Sequence, residues 1–204
     1  MAAKQDSRRP PPSAISRGEE ASGTNDTVLW NQLKRGEARA LEVLFRSHYQ
    51  ALFDYGLRLG LECERVKDGI QEIFASIWQK RTSLSEVESP KSYLLVCLRR
   101  QLMQQIQKER RHAQTEKEYV ADVGRTAFSA EDLVIFAELD LSRQTLFKSS
   151  FEKLPARLRE ALYLKTYEGL SYLEIANIME VTPQVARNYI HRALKLLRDV
   201  MSQS

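Results

Sequence analysis

The polar side chains between Pro183 and Val200 are the part of this sequence best suited to chemistry, and that chemistry is binding. They recur at helical spacing on one face of the segment: Gln184, Arg187, Asn188, His191, Lys195 and Arg198. In a DNA major groove, arginine matches the edge of guanine, and glutamine or asparagine matches adenine. Because no acid occurs in this segment before Asp199, the face suits a polyanion.

A short helix and a tight turn are predicted to position that face. Ser171 and Glu174 have the spacing of a capping box, and Thr182 followed by Pro183 gives a second helix start. The inward face of the second helix is predicted to consist of Ala186, Ile190, Ala193, Leu194 and Leu197. This pattern indicates a helix-turn-helix whose second helix enters the major groove. The alternative is a helical hairpin with a solvated basic face.

A second basic stretch lies in the middle of the chain, in a predicted helix that starts at Pro90. Residues 91–112 contain six Lys or Arg residues against the single acid Glu109, whereas residues 113–140 lean acidic. Two basic stretches separated by an acidic one predict two separate contacts with a polyanion.

Residues suited to catalysis are sparse. The three histidines, His48, His112 and His191, are far apart, and no nucleophile–base spacing or phosphate-binding glycine loop occurs. Cys63 and Cys97 give neither a disulfide framework nor a metal-binding spacing. We therefore expect no enzyme activity, no cofactor, no metal site and no small-molecule substrate.

The elements that must carry these residues are predicted to be helices. The chain has 204 residues, is 43% hydrophobic and has a net charge of +4. Residues that favour helices dominate the composition, and no stretch shows the alternation of apolar and polar residues that is typical of a β-strand. The sequence predicts an all-α protein of two small helical domains joined by a flexible linker. Residues 1–26 are predicted to be a disordered tail without a signal peptide, and a cytoplasmic location is expected.

Two motifs in this chain resemble those of sigma factors, the promoter-reading subunits of bacterial RNA polymerase. The region-four pattern is matched by Leu154, Pro155, Arg159 and Glu160, then by Gly169, Leu170, Ser171, Glu174, Ile175 and Ala176, and finally by Arg192 and Ala193. The region-two signature Asp-x-x-Gln-Glu-x-Phe is matched by Asp68, Gln71, Glu72 and Phe74. The resemblance implies that residues 27–112 are region two, residues 113–140 a linker and residues 141–201 region four.

The short chain leaves no place for a large domain between the two regions. It is therefore similar to the extracytoplasmic-function (ECF) group, which keeps only regions two and four. Residues 33–57 resemble the opening of ECF proteins common in Bacteroidetes. The fold and function implied are those of a transcription initiation factor that directs core polymerase to promoters and aids their opening.

The resemblance also implies roles for both basic stretches. The helix from Pro183 would read the −35 element, with base edges contacted by Gln184, Arg187, Asn188 and His191. Phosphates would be contacted by Thr182, Arg192, Lys195 and Arg198. The helix from Pro90 would read the −10 element through Lys91, Tyr93, Arg99, Arg100, Gln104, Gln107, Lys108 and Arg111. The loop at residues 82–89 would cradle a flipped base.

A helix is predicted at about residues 63–81, the third of the chain. The resemblance implies polymerase docking for its outer face, at Asp68, Gln71, Glu72 and Gln79. The expected partners are the β′ and β subunits of core RNA polymerase, promoter DNA and a membrane-anchored anti-sigma factor.

Two departures from the family pattern bear on the fold. Gly69 stands where the family has a Leu or Ile, and a glycine there lowers the stability of the helix by about 1 kcal/mol relative to Ala. Glu180 stands where the family has a glycine in the turn, and its backbone would be strained if its φ is positive.

Two other classes of protein compete with this interpretation. A free-standing helix-turn-helix repressor or activator would bind duplex DNA unaided, but it gives the N-terminal module no role. A helical enzyme or protein-interaction scaffold is the alternative from a different class. The absence of a catalytic constellation argues against the enzyme, and the basic helix from Pro90 argues against an uncharged scaffold.

Overall fold

The structure, a computed structural model, describes residues 16–113, 147 and 149–202, a part of the chain that contains no strand. Its α-helices are α1 (Ser16–Lys34), α2 (Ala38–Arg58), α3 (Cys63–Gln79), α4 (Pro90–Ala113), α5 (Ala156–Thr166), α6 (Tyr172–Met179) and α7 (Pro183–Ser202). The all-α prediction is confirmed, with α1–α4 forming an N-terminal lobe and α5–α7 a C-terminal lobe. All but the first residue of the predicted linker, residues 113–140, lies outside the described residues.

The first helix begins earlier than the sequence suggested. α1 starts at Ser16, whereas the tail was predicted to extend to residue 26, so that boundary is too late; residues 1–15 lie outside the described part. Asp26 is only 7% exposed, and its Oδ2 lies 3.0 Å from Nε2 of His48 on α2. Desolvation lowers the pKa of His48 despite the neighbouring carboxylate. The burial of Asp26 depends on His48, which lies far along the chain, so the composition of residues 1–26 gave no sign of it and predicted disorder.

The core of the N-terminal lobe explains the departure at Gly69. The apolar stripe of α3, from Ile70 to Ile77, is buried between α2 and α4. A Cβ at Gly69 would lie 3.1 Å from Cδ2 of Leu102, a fully buried residue of α4. The glycine weakens the helix locally, but it lets α3 and α4 approach closely.

The loop after α3 is tied to the rest of the lobe. The indole Nε1 of Trp30 donates a hydrogen bond to the backbone oxygen of Ser85 at 3.0 Å. The Arg81 guanidinium donates to the backbone oxygen of Trp78 at 2.8 Å and stacks over the Trp78 ring. The segment at residues 82–89 is therefore attached to both α1 and the end of α3.

In the C-terminal lobe, α7 packs against α5 and α6. Its core is formed by residues such as Leu162, Ile175, Met179, Ile190 and Leu197, each at most 5% exposed. This packing fixes which face of α7 turns outward.

Candidate nucleic-acid and polymerase-docking surfaces

The start of α6 has the predicted capping box. The Glu174 backbone N–H donates to the Ser171 hydroxyl at 3.2 Å, and the Ser171 N–H donates to Glu174 Oε2 at 2.9 Å. Both N–H groups are free of intrahelical partners in a helix terminus, so the box satisfies them. The prediction is confirmed, and α6 is only eight residues long.

The turn between α6 and α7 depends on a residue with an unusual backbone conformation. Glu180 has φ 56° and ψ 50°, the left-handed region in which glycine is favoured. Its φ is positive, so the condition under which the departure from glycine strains this turn is met. The Val181 N–H then donates to the Ala176 oxygen at 3.0 Å, and the Val185 N–H donates to the Thr182 hydroxyl at 3.3 Å. Two caps and one left-handed residue thus set the angle of α7.

The outer face of α7 presents every residue that the sequence placed there. The exposed residues are Thr182, Gln184, Arg187, Asn188, His191, Arg192, Lys195 and Arg198. Gln184 Nε2 donates to Asn188 Oδ1 at 3.0 Å, and the Arg187 guanidinium lies 5.0 Å from the centre of the Tyr172 ring. These contacts restrain three of the four predicted base-reading side chains before any DNA is bound.

One inward assignment on α7 is wrong. Ala186, Ile190, Ala193 and Leu197 are buried as predicted, but Leu194 is 43% exposed. Leu194 lies at the edge of the apolar stripe, outside the part that is buried against the neighbouring helices. Helical spacing predicts which residues form the apolar stripe, but how many of them are buried depends on the neighbouring helices.

The predicted −10 residues on α4 separate onto two surfaces. Arg100, Gln104, Gln107 and Lys108 are exposed, and Tyr93 is half-buried, 5.1 Å from the Trp30 ring. Lys91 and Arg99 instead turn toward the C-terminal lobe, and Arg99 is only 4% exposed. The side chain of Arg111 lies outside the described residues. The structure therefore does not bring the whole set together.

A cavity of about 470 Å³ lies between α3 and α4. It is lined by Glu72, Ile73, Ser76, Ile77, Lys80, Leu84, Tyr93, Cys97, Arg100, Gln101 and Gln104. Burial raises the pKa of the Cys97 thiol, which therefore stays protonated and behaves as a small apolar group. The cavity combines an aromatic ring, apolar walls and a rim of amide and guanidinium groups.

The predicted polymerase-docking residues form a separate exposed face on α3. Asp68, Gln71, Glu72 and Gln79 are all exposed, opposite the buried stripe that begins at Ile70. Glu72 also accepts a hydrogen bond from Gln101 of α4, so it is oriented at the rim of the cavity.

The two lobes contact each other through charged side chains, a feature that the sequence analysis missed. Arg99 Nε donates to Glu160 Oε1 at 2.7 Å, and Lys91 Nζ lies 2.8 Å from Glu168 Oε2. The ring of Tyr55 stacks on that of Tyr163 across the same boundary. One residue in the sequence could have indicated this contact: Glu160, an acidic residue of the region-four motif to which the sequence analysis gave no role.

Two classes of site find no support in the described part of the chain. Among those residues, no group of His, Cys, Asp and Glu is arranged to hold a metal ion. None of the described helices combines the length and apolar character that a membrane crossing requires.

Each of the two lobes matches the sequence model of a known protein family. The sequence model described as Sigma-70 region 2 matches residues 44–112, and that described as Sigma-70, region 4 matches residues 146–197. The two matches occur in the order predicted from the motifs and together cover more than half of the chain.

Curated relatives and solved structures agree with this assignment. The ECF RNA polymerase sigma factor SigK of Mycobacterium ulcerans is 21% identical over 178 residues, 87% of this chain and 94% of the relative. SigK of Mycobacterium sp. strain KMS is 22% identical over 183 residues, 89% of this chain and 93% of the relative.

The fold is similar to that of the sigma factor RpoE from Bartonella quintana, solved with the anti-sigma factor NepR. That comparison has a TM-score of 0.56 and 25% identity, and covers 83% of this chain and 98% of RpoE. CnrH, solved with the cytosolic domain of CnrY, has the same fold with a TM-score of 0.58 at 21% identity, over 88% and 98% of the two chains. With its regions two and four matched in order, the chain belongs to the sigma-70 family, in the ECF group of RNA polymerase sigma factors.

Proposed function

We propose a division of labour among three surfaces of this transcription initiation factor, which directs RNA polymerase to promoters. The outer face of α7 reads the −35 element, α4 and the cavity beside it engage the −10 element, and the outer face of α3 docks on the polymerase. The observation that carries the proposal is the presence of a region-two match and a region-four match in one chain.

The −35 assignment is supported by the exposure and orientation of the α7 side chains. Gln184, Arg187, Asn188 and His191 occupy the first half of the helix, the part that approaches base edges in a helix-turn-helix. Arg192, Lys195 and Arg198 follow toward the C-terminus and, with Thr182 at the start, are placed to contact phosphates.

The −10 assignment now includes a specific place for an unstacked base. We assign it to the cavity between α3 and α4, to which the loop at residues 82–89 contributes Leu84. There the Tyr93 ring offers a stacking surface and Arg100, Gln101 and Gln104 offer hydrogen-bonding groups. Gln107, Lys108 and Arg111 extend the same helix and are assigned to the DNA backbone. Opening of the duplex is favoured because a base held in this cavity is removed from the stack.

The docking assignment rests on charge and exposure. Asp68 and Glu72, with Gln71 and Gln79, form an acidic and amide face that suits a basic surface of the β′ subunit. The C-terminal lobe is assigned to the β subunit, and the factor acts by binding alone, without a catalytic step of its own.

An anti-sigma partner is also proposed. Both structural neighbours were solved with such partners, NepR and the cytosolic domain of CnrY. A partner anchored in the membrane would hold this factor on the cytoplasmic side until a signal releases it.

Transcription in vitro tests the function directly. Core RNA polymerase is incubated with the purified full chain and a library of random promoter sequences, and the transcript starts are sequenced. Starts that depend on the added chain and share two upstream elements are expected. Starts that are the same with and without the chain would refute the proposal.

A gel-shift comparison separates a sigma factor from a repressor. A library-derived promoter should be bound tightly only by the chain together with core polymerase. Equally tight binding by the chain alone would favour the free-standing repressor.

A further inference from the structure

The buried side chain of Trp30 on α1 contacts two of the elements that line the cavity between α3 and α4. It is 1% exposed, and its Nε1 donates a hydrogen bond to the backbone oxygen of Ser85 at 3.0 Å. Its ring centre lies 5.1 Å from that of Tyr93, at an interplanar angle of 65°. Ser85 follows Leu84 in the loop after α3, and both Leu84 and Tyr93 line the cavity. Trp30 thus contacts two sides of the cavity without lining it.

The loop that carries Leu84 is attached at its end and at its middle by different means. At the end, the Ser92 N–H donates to the Ser89 hydroxyl at 3.2 Å, a local bond that caps the start of α4. At the middle, Ser85 is bonded to Trp30, 55 positions earlier in the chain. The place of Leu84 therefore depends on α1 as well as on local bonds.

The burial of the indole makes this attachment firm. A buried N–H that loses its acceptor keeps the cost of its desolvation without the bond that offsets it, so movement of the loop away from Trp30 is unfavourable. The contact with Tyr93 is close to the edge-to-face arrangement that aromatic rings prefer, and it restricts the tilt of that ring. One side chain thus restrains both the loop and the Tyr93 ring.

A base that leaves the stack needs a slot of fixed width, since a gap of about 0.5–1 Å already forfeits a quarter to a half of a van der Waals contact. We propose, resting on the −10 assignment above, that Trp30 is a positioning residue for the unstacked base. It sets the separation between Leu84 and the Tyr93 ring to which the base must fit. The choice of base at that promoter position then depends on α1, a helix to which no DNA contact is assigned.

The test compares Trp30→Phe with Leu33→Ala, each in the full chain bound to core polymerase. Phenylalanine keeps an aromatic ring beside Tyr93 but has no N–H. Leu33 is a fully buried residue of the same helix that does not line the cavity, so its truncation reports a loss of core packing alone. Affinities are measured, at a temperature at which both variants are folded, for promoters already opened across the −10 element. These promoters carry each of the four bases at each −10 position of the non-template strand.

The unmodified chain should prefer one base at the position where that base is unstacked, which 2-aminopurine at the neighbouring position reports by brighter fluorescence. Trp30→Phe should reduce the preference at that position roughly tenfold, the scale of one base pair in a recognition site. Leu33→Ala should retain it. Both variants should keep the −35 preference and the affinity for core polymerase, because those surfaces do not include Trp30.

The positioning role is overturned by full discrimination in Trp30→Phe. It is equally overturned by an equal loss in Leu33→Ala, or by losses spread evenly over all −10 positions, because either would reveal a general effect on the core. Should Trp30→Phe lose its cooperative melting transition, replacement of Trp30 by 3-benzothienylalanine decides on the same readout. That ring has the shape of indole but carries sulfur in place of the N–H.

The unmodified chain keeps this test separate from that of the proposed function. If it shows no base preference anywhere in the −10 element, the −10 assignment itself is rejected. If it shows a preference that Trp30→Phe leaves unchanged, only the role of Trp30 is rejected.

Discussion

Lys91 and Arg99 show how far a residue type can be interpreted without its neighbours. In the sequence both are cations in a basic helix, and DNA contact was predicted for both. In the structure each is bonded to a glutamate more than 60 positions away along the chain. Their chemistry is unchanged, since they still bind an anionic oxygen. What the structure adds is an anionic partner for each from the same chain.

The exposed residues of α7 lead to a prediction at the same scale. Arg187→Ala should relax the preference for one base of the −35 element by about 1–3 kcal/mol, whereas Lys195→Ala should weaken binding to all sequences alike. The reason is that a base edge differs between sequences and a phosphate does not. Binding of the polymerase complex to a series of single-base promoter variants measures both.

The two substitutions serve as controls for each other, since both remove one exposed cation from α7. Equal and sequence-independent losses for the two would contradict the division between base-reading and phosphate-contacting residues.

At the level of elements, the helix-turn-helix was predicted accurately because its signals are local. The capping box at Ser171 and the start at Pro183 each involve residues within three positions, so the sequence displays them directly. The width of the buried stripe on α7 and the start of α1 depend on contacts with other helices. Those were the features predicted wrongly.

The turn at Glu180 gives a prediction about stability. Glu180→Gly should be more stable than Glu180→Ala by about 1 kcal/mol, because a Cβ in the left-handed region is strained and glycine has none. Both variants lose the exposed contact with Arg100, so that contact cancels in the comparison. The free energy of unfolding in urea measures the difference, and equal stabilities would show that the turn is not strained.

For the whole molecule, the contact between lobes and the docking face of α3 lie on different surfaces. Glu72 is exposed on α3, whereas the ion pairs between the lobes join Lys91 and Arg99 of α4 to the C-terminal lobe. If α3 is the docking surface, as proposed, polymerase binding does not require the lobes to separate first.

The docking face yields the last prediction. Glu72→Lys should abolish binding to core RNA polymerase, because it reverses the charge at the centre of the acidic face, while helicity and melting temperature stay close to those of the unmodified chain. Pull-down with core polymerase measures the binding. Glu42→Lys, an equal charge reversal at an exposed position of α2, should bind normally. Unchanged binding by Glu72→Lys would remove α3 as the docking surface.

The sequence by itself determined the helical class, the order of the two regions and the outward face of α7, because helical period, caps and motif spacing are short-range properties. Only the tertiary structure decided that Asp26 is buried against His48, that Gly69 makes space for Leu102, and that Lys91 and Arg99 face carboxylates. Each of these joins residues distant in the chain. Their burial and pairing depend on how helices approach one another, and a single sequence carries no direct record of that approach.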